Sequence, residues 1–79
     1  MINSLAFVGL GYIGLPTAVV LAQSGVNVIG VDVSEDRVNQ INSGLSPIVE
    51  PGLEQALRST LEAGTFKAQT EMPETDAYI

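Results

Sequence analysis

Leu5-Ala6-Phe7-Val8-Gly9-Leu10-Gly11-Tyr12-Ile13-Gly14 opens the stretch that decides the fold. A mostly apolar run continues it to Gly25, and Val26-Asn27-Val28-Ile29-Gly30-Val31-Asp32 closes it. The Leu5–Val8 run is apolar without alternation, as in a strand buried on both faces of a parallel sheet. Gly9 breaks it. The segment from Gly11 to Ser24 then reads as a helix, with Pro16 early enough that its missing N–H costs little. Gly25 stands where a left-handed residue would end that helix. Val26 to Val33 reads as a second strand, rich in β-branched residues.

Each glycine of Gly9-x-Gly11-x-x-Gly14 has its own task. Gly9 permits a tight turn off the strand, Gly11 lets a ligand approach the backbone, and Gly14 lets the helix sit close to the sheet. A helix start also offers unpaired N–H groups and about half a positive charge, which suits a pyrophosphate. Asp32 closes the second strand eighteen residues beyond Gly14. A carboxylate there can accept hydrogen bonds from both adenosine-ribose hydroxyls. Strand, glycine turn, helix, strand and acid in this order predict a dinucleotide site. The carboxylate would repel a 2′-phosphate, so NAD is the expected cofactor rather than NADP. Arg37, in the first turns of the next helix, either reaches the adenosine or is a solvated helix charge. Two other motifs fail here. Leu15-Pro16 replaces the Gly-Lys-Ser/Thr of a P-loop. No serine stands between the glycines, as a nucleophile elbow requires.

Outside this unit, Ser34 can cap a helix whose first turn holds Glu35 and Asp36, where negative charge suits the macrodipole. Val38, Ile41 and Leu45 give it a buried stripe, and Gly44 ends it. Leu45 to Glu50 is a loop around Pro47. Pro51 opens a third helix, with Leu53, Ala56, Leu57, Thr60 and Leu61 on one face and Gly64 at its end. Phe66 to Thr70 is a short strand, and Asp76 to Ile79 begins another apolar run. A strand from Ile2 to Val8 completes a βαβααββ pattern. The fold class is therefore α/β: a Rossmann-like, doubly wound parallel sheet of strand order 3-2-1-4. The sheet is incomplete, with strand 4 truncated, so residues 1–79 read as the N-terminal part of a longer NAD-binding domain. The missing wall predicts weak NAD binding by this segment alone and association through its open sheet edge.

Composition narrows the function. The chain has 79 residues, three basic and nine acidic side chains, a net charge of −6, and neither cysteine nor histidine. At this size only about 60% of the unfolded surface is buried on folding, so stability is marginal. The charge argues against nucleic acid and anionic membranes as partners. No metal-ligand pattern is present. Pro16 and the glycines interrupt any run of about 20 apolar residues, and no targeting segment is evident, so a cytoplasmic protein is the expectation.

Three segments together resemble one family: Gly9 to Ala18, Gly30-Val31-Asp32 with Arg37, and Ser46-Pro47-Ile48-Val49-Glu50-Pro51-Gly52-Leu53. They are similar to the N-terminal part of the nucleotide-sugar 6-dehydrogenases, which act on UDP-glucose and UDP-N-acetylmannosamine. The third segment makes the likeness specific, because a generic dinucleotide fold has no need of it. The glycine segment looks more like the N-acetylmannosamine branch. The resemblance implies oxidation of the sugar C6 alcohol to a carboxylate by two NAD in sequence, a UDP-sugar substrate and a homo-oligomeric full-length enzyme. It places Gly9, Gly11, Tyr12, Ile13 and Gly14 at the pyrophosphate, and Asp32 and Arg37 at the adenosine ribose. The family's catalytic cysteine and its helpers have no counterpart here, so no catalytic residue is assigned in this segment. Glu50 has two readings: it faces the cleft, or it caps the third helix with Pro51-Gly52 shaping the first turn. UDP-glucose as substrate and a non-catalytic NAD-binding module stay open as alternatives.

Overall fold

The computed structural model describes residues 4–75 and 77–79. Four parallel strands form one sheet in the order β3-β2-β1-β4, where β1 is Ser4–Val8, β2 Asn27–Val31, β3 Phe66–Gln69 and β4 Ala77–Tyr78. The helices are α1 (Gly14–Gln23), α2 (Glu35–Asn42) and α3 (Leu53–Ala63). Element order and strand order match the sequence expectation. The parts of the expected first and fourth strands that fall on Ile2, Asn3 and Asp76 lie outside the described residues.

The register assigns the two faces of the sheet. Leu5 pairs with Val28, and Val28 with Phe66. Phe7 pairs with Gly30, and Gly30 with Ala68. Paired residues of parallel strands share a face, so this set looks one way. Phe7, Val28, Phe66 and Ala68 join Leu15, Ala18, Val19, Ala22, Val38, Ile41, Leu53 and Leu57 in one buried core. Two right-handed crossovers that move the same way across the sheet put all three helices over this face. The chain then reverses direction to reach β4, and a right-handed crossing falls on the other face. Tyr78, level with Ala6 on that second face, accepts a hydrogen bond from Thr75 N (3.2 Å) and donates one to Pro73 O (2.8 Å). A helix-free connection therefore crosses the second face, where Ala6 and Val31 are buried while Val8 and Tyr78 stay about half exposed. Leu5, Ala6 and Phe7 are thus buried in succession, without alternation, while Val8 is exposed.

Several local expectations need correction. α3 begins at Leu53, not at Pro51, because Gly52 adopts φ +81° and cannot continue a right-handed helix. Pro51 lies in a turn closed by Leu53 N donating to Glu50 O at 3.1 Å. Leu45 is exposed, outside the α2 stripe, because the left-handed Gly44 turns the chain away after the helix ends. α1 begins at Gly14 rather than Gly11, because Gly11 to Ile13 still belong to the turn. β2 and β3 are each shorter than expected, ending at Val31 and Gln69 rather than Val33 and Thr70. Ser34 Oγ accepts from Arg37 N at 3.2 Å, capping α2 over its acidic first turn.

The outer edge strand β3 carries a device no local pattern predicts. Asn42 donates through Nδ2 to Ala68 O (2.8 Å) and accepts at Oδ1 from Ala68 N (2.9 Å). One side-chain amide thereby satisfies both outward-facing backbone groups of Ala68, blunting the edge against pairing with another chain.

Candidate functional site: the glycine turn, Asp32 and the adjoining cleft

β1 ends at Val8, and Gly9 turns the chain at φ +90°, a conformation side-chain-bearing residues rarely adopt. Gly9 N donates to Val31 O at 2.7 Å, tying the turn to the end of β2. Leu10 is fully buried, and its amide donates to Asp32 Oδ2 at 3.0 Å. The turn is thus stitched to β2 at two points before α1 begins. A Cβ on Gly14 would lie 1.9 Å from Gly9 O and 3.3 Å from Phe7 Cε1. The close approach that Gly14 permits is first to the turn's own carbonyl and then to the sheet.

α1 starts with no side-chain cap and no acidic residue in its first turn. Among the described residues, the amide N–H groups of Gly11, Tyr12, Ile13 and Gly14 have no hydrogen-bond partner. α2 differs, because Ser34 and two acids fill the same place. Four free donors at a positive helix end suit a multiply charged anion such as a pyrophosphate. The space beside Gly11 fits this use. A Cβ there would meet nothing closer than Arg37 Nη1 at 3.8 Å, so the open side of the turn is bare backbone.

Asp32 is 9% exposed and its carboxylate is already engaged. Oδ2 accepts from Leu10 N, and Oδ1 accepts from Ser34 N at 2.9 Å. Arg37 Nη1 stands 3.6 Å from Oδ2. Burial pushes the carboxyl pKa up. The amides of Ser34 and Leu10, and then the Arg37 charge, outweigh burial and hold it below its ordinary 3.8. Two ionised oxygens have room for about four donors, so two or so acceptor positions remain for hydroxyls. Gly11, Asp32 and Arg37, read from the sequence as parts of one site, are therefore brought together. Val8, Gly9, Val31, Asp32 and Val33 line a shallow pocket of about 150 Å³ at the ends of β1 and β2.

Tyr12 and Ile13 carry two of the free amides but send their side chains elsewhere, into solvent at 82% and 78% exposure. With Pro16 and Thr17 they form one wall of a cleft of about 450 Å³, and Ile48, Val49, Glu50 and Pro51 form the other. Glu50 does not cap α3, whose N-cap is Gly52 with no side-chain hydrogen bond. The cap position lies two residues beyond Glu50, which leaves its exposed carboxylate on the cleft wall. Sequence reasoning missed Leu10 and Gly30. A Cβ on Gly30 would fall 2.7 Å from both Leu10 methyl groups, so Gly30 is the seat that lets Leu10 bury and its amide reach Asp32. A glycine inside a strand was the available signal, since such a glycine often marks a close approach.

The comparisons agree with this geometry. The family model for the NAD-binding domain of the UDP-glucose/GDP-mannose dehydrogenase family matches residues 3–79. The UDP-N-acetyl-D-mannosamine dehydrogenase of Methanococcus maripaludis is 46% identical over 78 residues, covering 99% of this chain and 18% of the relative. The solved UDP-N-acetyl-mannosamine dehydrogenase of Staphylococcus aureus superposes with a TM-score of 0.91 at 39% identity, over 95% of this chain and 18% of that one. A GDP-mannose dehydrogenase from Pseudomonas aeruginosa reaches a TM-score of 0.82 at 45% identity, over 85% and 15%. The chain thus spans less than a fifth of the length of each of these relatives. Among the described residues, no helix is long and apolar enough to cross a membrane. With the strand order, the open helix start and nearly the whole sequence in agreement, this chain belongs to the UDP-glucose/GDP-mannose dehydrogenase family, as part of its NAD-binding domain.

Proposed function

We propose that this chain is the NAD-binding front of a nucleotide-sugar 6-dehydrogenase, with UDP-N-acetyl-D-mannosamine as the substrate. Converting the C6 alcohol to a carboxylate removes four electrons as two hydrides, and NAD, when bound, is the hydride acceptor. The chain's own part is to bind and orient. Gly9 and Gly14 shape the turn, Gly11 leaves the approach open, and the amides at Gly11, Tyr12, Ile13 and Gly14 hold the pyrophosphate. Asp32 takes the adenosine-ribose hydroxyls and Arg37 flanks them. Glu50 faces the cleft rather than the start of α3. The chain has neither cysteine nor histidine, and we assign its chemistry to residues of the longer enzyme outside these 79. Homo-oligomeric assembly and a cytoplasmic location belong to the same reading.

One observation carries it: a helix start with four amides unpartnered among the described residues lies beside a buried carboxylate that an arginine flanks. The preference for N-acetylmannosamine is supported by the names of the relatives that the whole chain matches. The test is a titration of the full-length protein with NAD and NADP, followed by turnover of UDP-N-acetylmannosamine and UDP-glucose. NAD should bind more tightly than NADP, and the N-acetylated sugar should be the better substrate. Equal or tighter NADP binding would refute the role of Asp32, and a preference for UDP-glucose would overturn the substrate assignment.

A further inference from the structure

We infer that Glu54 is the latch of a loop forming the outer wall of the cleft, which makes it a positioning residue for dinucleotide binding. This rests on the cofactor-binding role proposed above. Glu54, in the first turn of α3, accepts from Ser46 N through Oε2 at 3.1 Å and closes a loop across eight residues. Ser46 passes the restraint inward. Its Oγ donates to Ile48 O at 2.7 Å and accepts from Ile48 N at 3.1 Å. Arg58, one turn along α3, donates to Glu54 Oε1 at 3.2 Å and through Nε to Gly44 O at 2.9 Å. One carboxylate and one guanidinium therefore fix the chain entering the loop. Leu53, buried at the start of α3, fixes the chain leaving it.

Between these anchors, Val49, Glu50 and Pro51 are exposed, and their side chains make no hydrogen bond or ion pair with the described residues. They stand across the cleft from Tyr12 and Ile13, whose amides are among the free donors of the turn. The position of that wall relative to the dinucleotide turn is thus set at its entry through Glu54, with Ile48 against the core and the Leu53 N–Glu50 O bond holding the rest. The Glu54–Arg58 pair is half exposed, and exposed pairs contribute little to stability. The fold itself does not require this carboxylate; the geometry of the loop does.

The test uses the full-length enzyme. Glu54→Ala should raise KM and Kd for NAD about fivefold or more, because a loop freed from its anchor must be ordered again when the dinucleotide binds. The kcat at saturating NAD should stay within about twofold, the pattern of a lost uniform binding interaction. Glu54→Gln keeps an oxygen for Ser46 N and should restore near-normal KM. Ser46→Ala cuts the link to Ile48 without touching α3, should raise KM in the same direction, and carries the test if Glu54→Ala does not fold. Unchanged NAD affinity in the folded variants, or a Glu54→Gln enzyme as impaired as Glu54→Ala, would overturn the latch. A wild-type enzyme that fails to bind NAD would instead overturn the cofactor role, and the latch with it.

Discussion

Replacing Asp32 with alanine should destabilise the protein by about 2–4 kcal/mol, quite apart from any effect on cofactor. The main contribution comes from Leu10, whose buried amide would lose its 3.0 Å bond to Oδ2. Orphaning a buried donor costs about 1–3 kcal/mol. Ser34 N is only partly buried and can turn to water, so losing its 2.9 Å bond adds about 1 kcal/mol or less. The Arg37 pair adds under about 1 kcal/mol, because the arginine is 42% exposed and the separation is 3.6 Å. Typical stabilities of about 0.05–0.15 kcal/mol per residue make this a large share for a chain of 79 residues. Urea unfolding measures it. Asp32→Asn keeps one acceptor oxygen and should lose about half as much. The two variants also separate by pH. The folded-state pKa of Asp32 is depressed, so its contribution is fully present above the unfolded value, near 3.8, and is lost as the pH falls through the folded value. Wild-type stability should decline in that acid window more steeply than that of Asp32→Asn. A loss below about 1 kcal/mol for Asp32→Ala, or identical acid slopes, would refute the claim that this carboxylate holds the turn together.

Gly14→Ala and Gly11→Ala should fail in different ways. The first drives a Cβ to 1.9 Å from a backbone carbonyl and should cost about 3 kcal/mol or more, read in thermal melts. The second has open space, so it should fold normally and weaken NAD about tenfold or more in a titration, since its Cβ takes the ligand's place. Asn42→Ala removes both bonds to Ala68 and should cost about 1–2 kcal/mol while promoting self-association, measured by sedimentation at rising concentration. Glu50→Gln in the full-length enzyme should lower turnover while leaving the melting temperature in place, because its side chain makes no cap bond to α3. Unchanged turnover with a lowered melting temperature would reverse that assignment.

The features read correctly from the sequence are those whose physical demand is local. Gly9 must turn the chain at positive φ, Ser34 must meet an amide three residues on, and the face of α3 recurs at helical spacing. Each is decided within one turn of backbone. Asp32 was legible because strand length and turn length fix its distance from Gly14. Its hold on the glycine turn was not, since the bond to Leu10 joins residues 22 apart through a contact that only the assembled sheet creates. Gly30 and Asn42 failed for the same reason. The first makes room for a side chain from the neighbouring strand's turn, and the second pairs with a strand 26 residues away. Glu50 shows how a local rule misleads. Pro51 is a favoured first helical residue, so Glu50 looks like its cap, until Gly52 takes a left-handed conformation and moves the helix start to Leu53. Had Gly52 been an alanine held in the right-handed region, α3 could have begun at Pro51, with Glu50 spent on its first amides. The left-handed glycine removes that use and leaves the carboxylate on the cleft wall, so the conformation of one residue separates a structural acid from a site candidate.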